Sequence, residues 1–272
     1  MVATQTSGKI GRVVIVGEFI WIIGASSGIG LALAQQLARS DNRVFVSARN
    51  VEALQTCARN ETNIVVIPCD VTDPVSMEAA KAEILRHCDY LNRVIINAGV
   101  CEYFDIDRPD WSMMERVMRV NYFGALNTVQ VALPLLERVK TFKLAARGQI
   151  VVTASLASEV AFPRAEAYGA SKAALKYCFE SLGVDLRKRG IDVAVVQPGF
   201  VDTPMTRQND FPMPFKIDAA SAANIIVQGM KKRRRSIRFP WRLSWILGVF
   251  AQWSGLWYRI ATRHLVRFNK TA

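Results

Sequence analysis

Six short Val- and Ile-rich runs, separated by stretches of helical periodicity, constrain this chain more than any other feature. They are FIWII (19–23), RVFVSA (43–48), NIVVIPCD (63–70), RVIINAG (93–99), GQIVVTAS (148–155) and IDVAVVQPG (191–199). Runs this apolar are buried on both faces, and helices between them force right-handed crossovers. The expected fold is α/β, a single doubly wound parallel sheet with helices on both faces. At 272 residues the chain suits one large domain. Composition shifts once, near residue 229, which divides the chain into an extension (1–18), a body (19–228) and a tail (229–272). RVVIV (12–16) is an extra strand candidate within the extension, pairing at a sheet edge or forming a leader. It precedes an apolar stretch that Glu18 interrupts, so the region reads as strand and not as an export signal.

Residue supply removes several chemistries. The five cysteines are scattered, contain no C-x-x-C and fit free thiols in a reducing compartment. With two histidines, His87 and His264, a histidine triad or metal centre is poorly supplied, and no metal site is expected.

GASSGIG (24–30) lies between the first strand and the first helix. Gly24 permits a tight exit from the strand, Gly28 lets backbone approach a phosphate, and Gly30 lets helix and sheet pack closely. The helix N-terminus then offers free N–H groups to a pyrophosphate. The spacing G-x-x-x-G-x-G resembles that of the short-chain dehydrogenase/reductase family, whose fold is of the Rossmann type. The resemblance runs from about Phe19 to Met205. CDVTD (69–73), NAG (97–99) and PGFVDT (198–203) recur in the family's order. It implies that Gly24, Ser26, Ser27, Gly28, Ile29 and Gly30 hold a nicotinamide dinucleotide. Asp70 and Val71 would contact its adenine, and Asn97, Ala98 and Gly99 would line its path. Pro198, Gly199, Val201 and Thr203 would hold the carboxamide end. Ile23 and Ile96 depart from the family's usual threonine and asparagine, and both read as structural. After the second strand Ala48 stands where an NAD site places an acid, and Arg49 follows. A guanidinium pairs with a 2′-phosphate that a carboxylate would repel, so NADP(H) is favoured over NAD(H).

Tyr168 and Lys172 are one helical turn apart, and Ser155 stands thirteen residues before the tyrosine. This is the family's serine, tyrosine and Y-x-x-x-K pattern, and Asn121 in RVNYFGALN matches its helix asparagine. The resemblance implies reduction or oxidation of a carbonyl/alcohol pair. Tyr168 would be the proton donor, its pKa lowered by Lys172, which also bonds the nicotinamide ribose. Ser155 would polarise the carbonyl. Asn121 would hold a water linking Lys172 to solvent. Ser171, beside Lys172, reads as packing.

PMTRQNDFPMPFKID (204–218) matches the family's mobile lid. Met205, Phe211, Met213 and Phe215 either line it or anchor it. From Gly229 to Ala272 there are eleven basic residues and no acid, whereas the rest of the chain has 24 basic and 23 acidic. Four of the six tryptophans lie there too: Trp241, Trp245, Trp253 and Trp257. Basic residues flanking a broken apolar centre suit the headgroup layer of an anionic membrane better than nucleic acid. A helical pair packed on the domain or on a second copy is the competing reading. The expectation is a cytoplasmic oxidoreductase, held peripherally at a membrane by its tail, that acts on a lipid-like substrate. The resemblance implies a homodimer or homotetramer. The alternatives are a soluble 3-oxoacyl-thioester reductase whose tail mediates assembly, and a non-catalytic nucleotide-binding scaffold.

Overall fold

The six apolar runs become six parallel strands, and a seventh joins them from the tail. The computed structural model describes residues 15–142 and 146–265. Its strands are β1 (Phe19–Ile23), β2 (Arg43–Ser47), β3 (Ile64–Val66), β4 (Arg93–Ile96), β5 (Gly148–Thr153) and β6 (Ile191–Pro198). A short ribbon of β7 (Val201–Asp202) and β8 (Ile217–Asp218) follows, and then β9 (Ser236–Phe239). The main sheet has the order β3-β2-β1-β4-β5-β6-β9, all neighbours parallel. The order reverses between β1 and β4, which opens a crevice at their carboxyl ends.

Alternation along each strand sends side chains to two separate cores. Trp21, Ile23 and Phe45 pack on one face with α3 (Pro74–Leu85), α5 (Gly124–Phe142) and α6 (Glu166–Lys188). Ile20, Ile22, Val44 and Val46 pack on the other with α1 (Gly28–Ala38), α2 (Val51–Ala58) and α7 (Ala219–Lys231). Trp21 is fully buried, and its indole N–H donates to Ser47 Oγ at 2.9 Å. Local signals start the helices: Asn50 caps α2, Asp73 with Pro74 starts α3, and Asp218 caps α7. At the amino ends of the strands charges are buried in pairs. Arg93 binds Glu18, and Asp192 accepts from Arg147, Arg187 and Arg233.

Two boundaries differ from the sequence reading. Residues 12–14 of the strand expected at 12–16 lie outside the described residues. Ile15 and Val16 are not in a strand, although Ile15 is buried in the second core. The tail does not begin at 229 as a separate body. Ser236–Phe239 is β9, hydrogen-bonded to β6, with Ile237 and Phe239 in the core and Ser236 and Arg238 outside. Only two apolar positions alternate within a basic run, so the strand is hard to see in the sequence. The remainder folds back as α8 (Trp241–Gln252) and α9 (Ser254–His264). Leu243, Leu247, Trp257 and Ala261 form a third core with Leu156, Phe162 and Phe200. Trp257 is buried and donates to the Ala161 carbonyl at 2.6 Å, so it leaves the set of exposed tryptophans. Among the basic residues, Arg233 is tied to Asp192 and Arg238 to Glu159.

Candidate active site

At the reversal point the glycine loop leaves β1 and enters α1. Gly24 has φ +82°, and a Cβ there would stand 2.5 Å from the Ala98 nitrogen. Gly30 touches the loop itself, since a Cβ would stand 2.1 Å from the Gly24 carbonyl oxygen. Asn97 closes this contact by donating to the Gly24 carbonyl at 3.1 Å, and Thr153 donates to Asn97 Oδ1. The Ser27 side chain makes no capping bond to α1, and the first turn of that helix holds no acid. Its leading N–H groups therefore face the crevice without a side-chain partner and favour an anion.

The crevice forms a cleft of about 240 Å³ across the carboxyl ends of the strands. Gly24, Ser26, Ala48, Arg49, Asp70, Val71, Ala98 and Gly99 line it, together with Asn50 and Val100. Small residues at Ala48, Ala98 and Gly99 leave room that larger side chains would fill. Arg49 is exposed at the rim, close enough to Asp70 to help hold that carboxyl below its usual range. Burial pushes Asp70 the other way, and the hydrogen bonds from Thr72 N and Oγ1 outweigh it. Ile29 packs against the second core, and Ser27 stands at the helix start. Gly28 faces Thr203, whose Cγ2 would lie 2.9 Å from an added Cβ, so the glycine loop meets the segment after β6. Val201 is buried in β7, and Pro198 ends β6.

Ser155 follows β5 and starts a short 3-10 turn, with its Oγ accepting from Ala157 N at 3.1 Å. Tyr168 and Lys172 come from the first turns of α6. Ser155 and Tyr168 are hydrogen-bonded. The Lys172 ammonium lies 5.8 Å from the Tyr168 ring centroid and donates to the Thr153 carbonyl at 2.8 Å. Lys172 is 3 % exposed, and burial lowers its pKa to about 8. Burial pushes the Tyr168 phenol up to about 12, while the bond to Ser155 pulls it down and the nearby Cys101 thiol pushes it further up. The sequence reading had Lys172 lowering the phenol. In the structure burial is the largest influence on the phenol and raises its pKa, so it keeps its proton at neutral pH.

Asn121 sits in a π-helical turn, Arg119–Phe123, between α4 (Ser112–Met118) and α5. Such turns recur at functional sites, and here the asparagine is the buried residue of the turn. Its amide bonds both backbone groups of Val100, accepting at 2.7 Å and donating at 2.9 Å, and donates to Ser171 Oγ at 2.9 Å. Ser171 in turn donates to the Tyr168 carbonyl. A Cβ on Gly99 would stand 3.2 Å from both Asn121 Oδ1 and Lys172 Nζ, so this glycine gives the two polar groups their common space. The fold thus brings Ser155, Tyr168, Lys172 and Asn121 to one end of the cleft.

Sequence reasoning gave Ser171 to packing and did not single out Cys101 and Tyr103 for the site. Ser171 is fully buried and couples Asn121 to α6, so packing and positioning coincide in one residue. Cys101 and Tyr103 are hydrogen-bonded beside Lys172 and Tyr168, and only their place just after NAG could have marked them. Tyr103 reaches the lid segment, donating to Asn209 Oδ1 at 2.5 Å and meeting Phe211 edge to face. Phe211 also packs on Phe200, and Asn209 donates to the Met213 sulfur. These residues anchor the lid, whereas Met205 and Phe215 are exposed. Ile23 and Ile96, the two departures from the family pattern, are buried core residues.

The profile of the short chain dehydrogenase family matches residues 18–212. The chain belongs to that family of oxidoreductases. An uncharacterized oxidoreductase of Myxococcus xanthus is 35% identical over 82% of this chain and 87% of its own length. A fatty acyl-CoA reductase of Acinetobacter baylyi is 31% identical over 81% of this chain and 75% of its own. Among solved structures, a short chain dehydrogenase from Burkholderia cenocepacia in complex with NADP superposes with TM-score 0.76. It is 24% identical and is covered in full by 93% of this chain. A family member from Burkholderia phymatum in complex with NAD also gives TM-score 0.76, at 20% identity over 94% of this chain and 98% of its own. Both likenesses bear on the fold.

Proposed function

We propose that the protein interconverts a carbonyl and an alcohol on an apolar, lipid-like substrate, using NADP(H) in preference to NAD(H). The observation that carries this reading is the convergence of Ser155, Tyr168 and Lys172, with the lysine beside Gly99 of the glycine-loop cleft. The cleft suits a dinucleotide: unpartnered N–H groups at the start of α1, small residues along its floor, and Arg49 at the rim to pair with a 2′-phosphate. Gly24, Ser26, Ser27, Gly28, Ile29 and Gly30 would hold the pyrophosphate. Asp70 and Val71 would hold the adenine side, Asn97, Ala98 and Gly99 the middle, and Pro198, Gly199, Val201 and Thr203 the far end. A nicotinamide held there would supply the hydride chemistry at the carbonyl carbon.

The protein's own residues handle the oxygen and its proton. Ser155 donates a hydrogen bond that polarises the carbonyl. Tyr168, protonated at neutral pH, gives its proton to the oxygen as negative charge builds there. Lys172 supplies positive charge beside the phenol once the proton leaves, and Asn121 and Ser171 fix the register of α6 against the strand ends. An apolar substrate is supported by the likeness to a fatty acyl-CoA reductase, and by Leu156, which follows Ser155 and belongs to an apolar cluster with Phe162 and Phe200. The same reading places the enzyme peripherally at an anionic membrane as a homodimer or homotetramer.

The test is consumption of NADPH with a panel of aliphatic ketones, with Tyr168→Phe as the control. The variant should lose about 10²–10⁴-fold in turnover while still binding NADPH by fluorescence. Turnover within a few-fold of wild type removes Tyr168 as the acid.

A further inference from the structure

The last two helices present opposite faces to the body and to the outside. On α8, Leu243, Leu247 and Phe250 face inward, one turn apart, and Trp241 and Trp245 share the opposite stripe. On α9, Trp257 and Ala261 face inward, and Leu256, Tyr258, Arg259 and Arg263 face out. Large aromatics are rarely left this open: Trp241 is 72% exposed, Trp245 69%, Trp253 62% and Tyr258 72%. The Arg242 guanidinium lies 5.4 Å from the Trp241 ring centroid. Residues 241–265 contain no acid. Glu159, the carboxylate near the start of this unit, is engaged by Arg238, Lys176 and Gln197.

We infer that the outward face of α8–α9 docks on an anionic phospholipid bilayer. Its inward face then packs on Leu156 and Phe200, the residues that follow Ser155 and Gly199, and a lipid-dissolved carbonyl substrate enters past this cap. The docking stands on the helix pair alone, and the entry route rests on the oxidoreductase reading above. Amphipathic tryptophans flanked by arginines match the headgroup boundary, where rings enter the lipid and guanidinium groups meet phosphate. Helices of 12 and 11 residues are far too short to cross the roughly 30 Å hydrocarbon core, and no described helix is long and apolar enough to span a membrane. The pair therefore lies on the surface. A second copy of the chain is the poorer occupant, because face-to-face pairing would set Arg242, Arg259 and Arg263 of both copies against each other with no acid between them. The inner contacts seat the cap on the site: Leu156 follows Ser155, Phe200 follows Gly199, and Leu243 approaches to 2.8 Å from where a Gly199 Cβ would stand.

The experiment is co-sedimentation of the full-length protein with vesicles of phosphatidylcholine, with and without phosphatidylglycerol, at low and high salt. Wild type should pellet with the anionic vesicles, and high salt should release part of it. Trp241→Ser with Trp245→Ser should cut partitioning by roughly tenfold for each ring that withdraws about 60 Å² from water. Arg242→Gln should cut it by about fivefold at low salt only. Unchanged melting and an unchanged rate on a short water-soluble ketone would show that fold and site survive in these variants. The rate on a long-chain ketone carried in vesicles should fall in parallel with binding. Wild type remaining in the supernatant overturns the proposal, as does pelleting indifferent to these substitutions. So does a variant whose oligomeric mass falls while its vesicle binding is unchanged, since the face would then join protein to protein. If no ketone is reduced by wild type, the oxidoreductase reading fails, and the vesicle arm still decides the docking.

Discussion

Lys172→Met should make the protein inactive and, at neutral pH, more stable. The ammonium is buried, and burial brings its pKa from the ordinary 10.5 down to about 8. At about 1.4 kcal/mol per pH unit, holding the charge inside costs the fold on the order of 3 kcal/mol when both folded and unfolded chains are protonated. Methionine keeps most of the apolar stem and removes the charge. It also removes the 2.8 Å bond to the Thr153 carbonyl, a loss of about 1–2 kcal/mol. The net gain is about 1–2 kcal/mol, or roughly 3–6 °C in Tm for a chain of this size. The sign depends on pH. Below about 8 both states of the wild type carry the proton and the full penalty applies. Between about 8 and 10.5 the folded lysine is neutral while the unfolded one still binds a proton, so wild-type stability rises with pH. The advantage of the methionine variant should therefore vanish or reverse by about pH 10. Scanning calorimetry of both proteins without cofactor, at neutral and alkaline pH, reads this directly. A variant that melts below wild type at neutral pH, or an advantage that does not change with pH, refutes the argument that the site stores buried charge.

Two further outcomes follow from named contacts. Arg49→Asp should weaken NADPH binding far more than NADH binding, measured by fluorescence titration of each, and equal weakening of both would remove Arg49 as the phosphate partner. Trp257→Ala should cost about 3–5 kcal/mol, because it empties the space between Phe162 and Phe250 and leaves the Ala161 carbonyl without its donor. Thermal melting tests this, and a change under about 1 kcal/mol would show that the cap is only loosely seated.

What could be read in the sequence was what repeats along it or sits at fixed spacing. The first six strands announced themselves because each is continuously apolar, and the Tyr168–Lys172 pair because one helical turn is a fixed length. β9 offered only Ile237 and Phe239 between arginines, and its identity as a strand comes from pairing with β6, a tertiary fact. The direction of the Tyr168 shift was hidden for the same reason. Helical spacing places the ammonium near the phenol, but the burial that raises the phenol's pKa is set by segments remote in sequence. Ser171 read as packing, and only its bond from Asn121 in the π turn shows what it holds. The tail's charge and tryptophans were visible as composition, but which rings turn inward depends on Leu156, Phe162 and Phe200, all remote in sequence.

β9 also sets the order in which a newborn chain can become an enzyme. The glycine loop, the serine and the tyrosine–lysine pair have all left the ribosome before Ser236 is made, yet β6 still has one open edge at that moment. Until the last strand closes it and the two final helices fold over Leu156, the hydrogen-bonding groups on that edge invite another nascent chain to pair. A message cut short after residue 230 would therefore yield a product with Ser155, Tyr168 and Lys172 all present and a sticky margin. The cell would meet it as a client for chaperones and proteases, and not as a weakened catalyst.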